Sequence, residues 1–282
     1  MNHSMKRIMR SLLPIVMMGL FVHKVLAGDF GLSAGVERYS GTYTYQTTTA
    51  TYALNAGLQY EEEDQFSFSF TLPLLFQNSN LVSRAGGMLL PHGSGGNSMS
   101  NSHAHNGGGM MMGANSSSPS SSYLSGLGDM LFEGNYYLAG ESESAPSFAL
   151  TGQIKAPTAG TSFGTGEWDY GVGISAEKQF GTISVSANTG ALVLGDPAGT
   201  VYHNPFTFGA SVGNTFMDGK LSAMISYLEY TRVLDGYEAP RQISLGVLSQ
   251  TSSATTLSLI GSFGLSNTVP ALGISLSIEV TL

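Results

Sequence analysis

The sequence predicts an all-β fold, a transmembrane antiparallel up-and-down β-barrel of about 12 strands with a long external loop. Apolar and polar residues alternate with a period of two in one segment after another, as in strands with two unlike faces. Charged residues make up only 11% of the chain and hydrophobic residues 42%, whereas soluble proteins carry about 25% charged residues. Beyond the N-terminal region no apolar stretch reaches the roughly 20 residues of a membrane-spanning helix. Much of the surface is therefore predicted to meet lipid through strands.

The first 27 residues are predicted to form a signal peptide that is cleaved after Ala27. A basic segment from Lys6 to Arg10 precedes the apolar stretch Leu12–Val22, and Val25 and Ala27 are the small residues that a signal peptidase reads. A membrane anchor is the alternative, but the apolar stretch has about half of the roughly 20 residues that an anchor needs. Residues 28–282 are left for the barrel.

The alternation places the strands in chain order. Every second residue from Phe66 to Phe76 is Phe or Leu, and every second residue from Leu272 to Val280 is Leu, Ile or Val. One central segment carries Trp168 at one end and Phe180 at the other, which suits the aromatic girdles of a membrane barrel. The predicted strands lie near residues 29–40, 49–60, 65–78, 126–139, 147–157, 167–180, 182–194, 204–217, 221–233, 241–250, 254–266 and 271–282.

The connections between these strands alternate in length, as expected for short periplasmic turns and longer external loops. With the N-terminus in the periplasm, the turns at 61–64, 141–146, 181, 218–220 and 251–253 are tight. The opposite connections are longer, except for 267–270. The longest, residues 79–125, is rich in Gly, Ser and Asn and is predicted to be a low-complexity external loop.

Composition excludes several functions. The chain has no cysteine, which removes disulfides, thiolate metal sites and a lipid-anchored cysteine. After Ala27 there are seven basic and 19 acidic side chains, so nucleic acid is not an expected partner. Hydrolase and phosphate-loop motifs are absent, and Gly164–Gly166 fits a turn. The protein is not expected to be an enzyme, although a Ser/His site using His203 is the remaining catalytic alternative.

The predicted external loop contains a concentration of thioether and imidazole side chains, which favour Cu(I) and similar soft metals. The candidate ligands are His92, His103, His105, Met110, Met111 and Met112. The alternative is a low-complexity loop with no site. Apart from this candidate metal, no cofactor is expected.

Ionisable residues on the polar faces of the strands are predicted to point into the lumen, because charge inside a membrane protein must meet water or a partner. The candidates are Glu37, Asp129, Glu133, Lys155, Asp169, Glu177 and Glu279. They would form either a cation-preferring path or a structural network in which Lys155 pairs with two or three acids.

Three segments carry a resemblance to a known family. These are Gly126–Asp129 (GLGD), Ile154–Gly160 (IKAPTAG) and Phe163–Asp169 (FGTGEWD). In this order they resemble the transporter-like outer-membrane family named after the meta-pathway of phenol degradation, and the resemblance extends over about residues 66–282. Ala156, Ala159 and the terminal Leu282 depart from the usual pattern. The resemblance implies an outer-membrane barrel linked to uptake of aromatic compounds.

Together these observations predict a channel or transporter in the outer membrane of a Gram-negative bacterium, passing small molecules that include aromatic or apolar compounds. Its partners would be membrane lipid and the solute. A structural barrel that holds a periplasmic or electron-transfer partner and metal capture by the external loop are the two alternatives.

Overall fold

The computed structural model describes residues 28–62, 65–92, 123–160, 162–197 and 199–282. Within these ranges the chain forms antiparallel strands and one short 3-10 turn, Met217–Gly219. The strands are β1 (Asp29–Gly41), β2 (Thr49–Glu62), β3 (Phe66–Gln77), β4 (Val82–Ala85), β5 (Met88–Pro91), β6 (Leu124–Leu127), β7 (Met130–Ala139), β8 (Ser147–Ala156), β9 (Asp169–Phe180), β10 (Ile183–Val193), β11 (Phe206–Phe216), β12 (Leu221–Tyr230), β13 (Arg241–Gln250), β14 (Thr255–Gly264) and β15 (Leu272–Thr281).

Thirteen of these strands close into one barrel. Each strand pairs with its neighbours in the chain, and β1 pairs with both β2 and β15, so the sheet has no free edge. Strands β6 and β7 follow each other along the same neighbour, β3, and together act as one interrupted wall strand. The wall therefore has twelve strands, which confirms the predicted fold class. Closure satisfies the backbone hydrogen bonds that hydrocarbon cannot satisfy.

The outer surface of the wall is a continuous apolar belt. Leu276 is 50% exposed and lies directly across from Leu259, which is 51% exposed and pairs in turn with Val247. Exposed aromatic side chains lie at both ends of the wall, with Trp168 and Phe206 at one end and Phe180 at the other. In a membrane barrel this outward surface meets lipid.

The interruption between β6 and β7 follows from a proline in the neighbouring strand. Leu74 pairs with Leu127 but Thr71 pairs with Leu131, so the pairing shifts by one residue at Pro73. Proline has no N–H to donate to a ladder; instead the Pro73 carbonyl accepts a hydrogen bond from the Gly128 N–H at 2.8 Å. This β-bulge lets Leu127 face outward while Asp129, 5% exposed, faces the interior.

The two ends of the barrel differ. The first and last described residues, Gly28 and Leu282, lie at the end with short turns, where the Leu282 N–H bonds to the Phe30 carbonyl at 2.8 Å. The opposite end carries the longer connections and is the external end by analogy with other bacterial barrels. None of the described residues forms a helix of sufficient length and hydrophobicity to span a bilayer. The predicted signal peptide, residues 1–27, lies outside the described residues and stays a prediction.

Strands β4 and β5 form a separate two-stranded sheet inside the barrel. We call the segment Val82–Pro91 the plug hairpin; all but one of its strand residues are buried. The hairpin belongs to the segment 79–125, which was predicted to be an external loop. The described part of that segment differs from this prediction in two ways: the hairpin folds inward, and the segment's last residues begin β6 in the wall. The apolar side chains of the hairpin, among them Leu89 and Leu90, pack inside the barrel in two buried hydrophobic clusters, which favours the inward position.

Candidate functional site: the lumen and its plug

The barrel encloses a cavity of about 510 Å³ between the plug hairpin and the end with short turns. Its wall consists mainly of small and hydroxyl-bearing side chains, which are the inward-facing members of the alternating strands. The hydroxyls partly satisfy one another, as in the 2.7 Å contact between Ser186 Oγ and Ser211 Oγ. Such a wall offers water and polar solutes many equivalent hydrogen-bond partners and few fixed ones.

One face of the plug hairpin packs on a hydrophobic cluster at the external end. Ala85, Met88 and Leu90 are at most 2% exposed and pack with residues of β10, of β12 and of the loops that follow β10, β12 and β14. The members of this cluster outside the hairpin are Leu192, Leu194, Tyr202, Tyr230, Val233 and Val269. Two tyrosine hydroxyls add hydrogen bonds to the hairpin backbone, since Tyr230 accepts from Gly87 N and Tyr202 donates to the Pro91 carbonyl, both at 2.8 Å.

The hairpin also carries a cation into the lumen. The Arg84 guanidinium donates to Glu37 Oε2 on β1 at 3.2 Å. Glu133 on β7 attracts the same guanidinium electrostatically and accepts a hydrogen bond from Ser69 at 3.4 Å. Arg84 thus joins the plug to the acidic side of the lumen.

Next to the hairpin lies a buried network centred on Lys155. Its ammonium is 2.8 Å from Asp169 Oδ2 and 3.5 Å from Asp129 Oδ2, and it donates to Thr165 Oγ1 at 2.9 Å and to the Arg84 carbonyl at 3.3 Å. The ammonium and both carboxylates are at most 2% exposed. Because charges taken out of water need compensating partners, the four contacts together make the burial possible.

The network unites the three motif segments recognised in the sequence. The other oxygen of each carboxylate accepts a backbone N–H, from Ala159 to Asp129 Oδ1 at 2.9 Å and from Gly195 to Asp169 Oδ1 at 3.0 Å. Gly164 has to lack a side chain here, because a Cβ would lie 2.7 Å from the Ala159 Cβ and 2.8 Å from Asp129 Oδ2. The motifs therefore build a cross-braced end for strands β7, β8 and β9.

The predicted lumen residues fall into three groups. Asp129, Lys155 and Asp169 meet in the buried network, whereas Glu37 and Glu133 flank Arg84. The remaining two lie apart from both groups. Glu279 lines the cavity near the end with short turns. Glu177 lies near the C-terminal end of β9, at the same end of the barrel, and pairs with Ser147.

Sequence reasoning missed Arg84, because it treated the surrounding segment as low-complexity. The signal that could have found it is the stretch Val82–Pro91, in which two short runs, a mixed one (Val82–Ala85) and an apolar one (Met88–Pro91), flank Gly86 and Gly87. Gly-Gly between two such runs is typical of a two-residue hairpin turn, and Gly86 has φ +57°.

Of the predicted metal ligands, only His92 lies within the described residues. Its backbone closes the plug hairpin through a 2.9 Å bond from its N–H to the Leu81 carbonyl. Burial, helped by the Lys155 charge, lowers the pKa of His92, which favours the neutral imidazole that binds metals. The part of the chain that the structure describes contains no group of three or more His, Cys, Asp or Glu arranged to hold an ion. His103, His105 and Met110–Met112 lie outside it.

The closed wall, the lipid-facing belt and the plugged polar lumen define an outer-membrane β-barrel. The chain belongs to the family described as the MetA-pathway of phenol degradation, which matches residues 92–275. This confirms the family resemblance seen in the sequence.

Two solved structures share the architecture. The COG4313 outer membrane channel from Pseudomonas putida F1 is 11% identical, with a TM-score of 0.60 over 94% of this chain and 100% of that one. The transport unit of the autotransporter AIDA-I from Escherichia coli is 13% identical, with a TM-score of 0.50 over 94% of this chain and 93% of that one. At these identities the likeness is one of fold. No curated protein matches the chain significantly.

Proposed function

We propose that this barrel is a passive outer-membrane channel for small solutes, and that aromatic compounds are among them. The observation that carries the proposal is the 510 Å³ cavity enclosed by a complete wall, a volume within the range of small-molecule sites, roughly 300–1,000 Å³. Family membership supports the link to aromatic solutes, since the family is described by phenol degradation.

The charges that line the cavity favour cations. Glu37, Asp129, Glu133 and Glu279 contribute four acidic side chains and Arg84 one guanidinium. Arg84 pairs with Glu37, and Asp129 pairs with the buried Lys155. The excess negative charge raises the local concentration of cations and lowers that of anions. The charge of the lining does not affect the concentration of neutral solutes in this way, so the channel is not limited to ions.

The position of the plug hairpin argues against the alternative of a sleeve around another protein. A threaded polypeptide would need the space that the hairpin fills, and the hairpin is held by both apolar packing and hydrogen bonds. A periplasmic partner at the turn end and metal capture by residues 92–112 remain separate proposals, to be tested independently.

The test is reconstitution of the purified barrel. We expect single-channel conductance in planar bilayers, and swelling of liposomes in isosmotic phenylalanine, an aromatic solute that does not cross lipid quickly by itself. A salt gradient should give a cation-selective reversal potential that moves towards zero in Glu279→Gln. Glu141→Gln is the matched control, because Glu141 lies in the turn after β7, pairs with Lys178 of β9, and does not line the cavity. Barrels that fold but pass neither ions nor phenylalanine would contradict the proposal.

A further inference from the structure

The two faces of the plug hairpin meet different surroundings. Leu90 pairs with Ser83, and Leu89 pairs with Arg84, so side-chain alternation puts the two leucines on opposite faces. Leu90 belongs to the hydrophobic cluster on the β10–β12 side. Leu89 and Arg84 face the side formed by β1, β2 and β3, where Leu89 and Val82 form a second, smaller cluster with Tyr43.

On this second side a small cavity of about 20 Å³ separates the hairpin from the wall, room for about one water molecule. Ala53 on β2 and Pro73 on β3 line the wall side of it, and Leu89 and Arg84 line the hairpin side. Leu89, Arg84 and Pro73 also line the large lumen cavity. The small cavity therefore adjoins the lumen beside the plug, and we call it the neck.

Phe163 completes the neck from the external loop between β8 and β9. The ring is 5% exposed and lines the small cavity. It lies against Gly126, where a Cβ would come within 2.7 Å of the ring carbon Cε2. One of the motif glycines thus makes room for an aromatic side chain that narrows the neck.

We infer that solutes pass the plug through this neck, and that Leu89 and Phe163 set which solutes fit. The inference rests on the proposed channel function. The hairpin stays docked through its Leu90 face, because that face belongs to the larger of the two apolar clusters and loses more apolar contacts if the hairpin moves away. A passing solute instead widens the neck on the Leu89 face, where the lining includes polar side chains and a gap already exists.

Two adjacent leucines provide the test. Leu89→Ala removes side-chain volume beside the neck, whereas Leu90→Ala removes the same volume from the larger cluster on the opposite face. We expect a several-fold rise in conductance and in phenylalanine swelling rate for Leu89→Ala and for Phe163→Ala, with Leu90→Ala close to the wild type. An equal rise in both leucine variants would overturn the inference, because it would show that the hairpin moves as a whole.

Single cysteines give an independent readout, since the chain has no cysteine of its own. Ala53→Cys puts a thiol in the neck, and Ala85→Cys puts one in the packed cluster; both alanines are at most 2% exposed. A small charged thiol reagent should react with the first, and block current, much faster than with the second. Faster reaction at Ala85→Cys would refute the neck. If the wild type and all variants fold but never conduct, the channel function itself fails, which is a different result.

Discussion

Replacing Lys155 by Met is expected to destabilise the barrel strongly. The substitution keeps a side chain of similar length but leaves Asp129 and Asp169 buried together without their shared cation, which now lies 3.5 and 2.8 Å from them. Removing one member of a buried ion pair costs about 3–5 kcal/mol. At 1.36 kcal/mol per tenfold change, that lowers the folding equilibrium constant by roughly two to four powers of ten.

The assay is urea unfolding of the barrel in lipid vesicles, followed by the mobility of unheated samples on gels. The matched control combines Lys155→Met with Asp129→Asn and Asp169→Asn, which removes the charges and keeps oxygen acceptors for the Ala159 and Gly195 N–H groups. We expect this triple variant to lie closer to the wild type than the single one. A single variant with the wild-type midpoint, or a triple variant that is equally unstable, would refute the electrostatic explanation.

Three further predictions concern other parts of the molecule. Leu276→Lys, on the lipid face midway along β15, should destabilise the folded state by about 2–4 kcal/mol. Ser275→Lys, in the lumen, should cost much less in the same urea assay, and equal costs would contradict the assignment of faces. Gly164→Val should displace the loop that holds Asp129, seen as faster proteolysis between residues 157 and 168, with Gly160→Val as the tolerated control because a Cβ there meets nothing within 4 Å. A peptide spanning residues 88–112 should bind Cu(I) more tightly than a version with Ser in place of each His and Met, and equal calorimetric titrations would end the metal hypothesis.

Most of the wall could be predicted because its signal is local. The period-two pattern follows from the requirement that one face meets lipid and the other the lumen, so it is written into each strand separately. The third predicted strand, 65–78, is observed as Phe66–Gln77. The bulge beside Pro73 was not predictable in this way, because a register shift depends on which strand becomes the neighbour.

The plug hairpin was missed for a different reason. The composition of residues 79–125, dominated by Gly, Ser and Asn, outweighed the short apolar runs within it. Whether a short apolar run lies on the outside or folds inward depends on whether the barrel has unfilled apolar surface at that end. Leu192, Tyr230 and Val269 supply that surface, and they come from three distant parts of the chain.

The candidate site was predictable in part. The sequence placed Lys155, Asp129 and Asp169 on polar faces, and Lys155 and Asp169 turn out to be direct cross-strand partners. Glu177 was grouped with them but lies eight residues along β9 from Asp169, towards the opposite end of the barrel. The alternation pattern predicts whether a side chain faces the lumen, but it does not predict where along the barrel axis that side chain lies.

Successive residues of each wall strand alternate between a lipid-facing side and a side that faces water in the lumen. Spin labels placed one at a time on cysteines at positions 272–281 of β15, in reconstituted vesicles, test it most directly. Collision with oxygen should peak at positions 274, 276 and 278, and collision with a water-soluble nickel chelate at 275, 277 and 279. Accessibility without a period of two, or with the two reagents exchanged, would contradict the account.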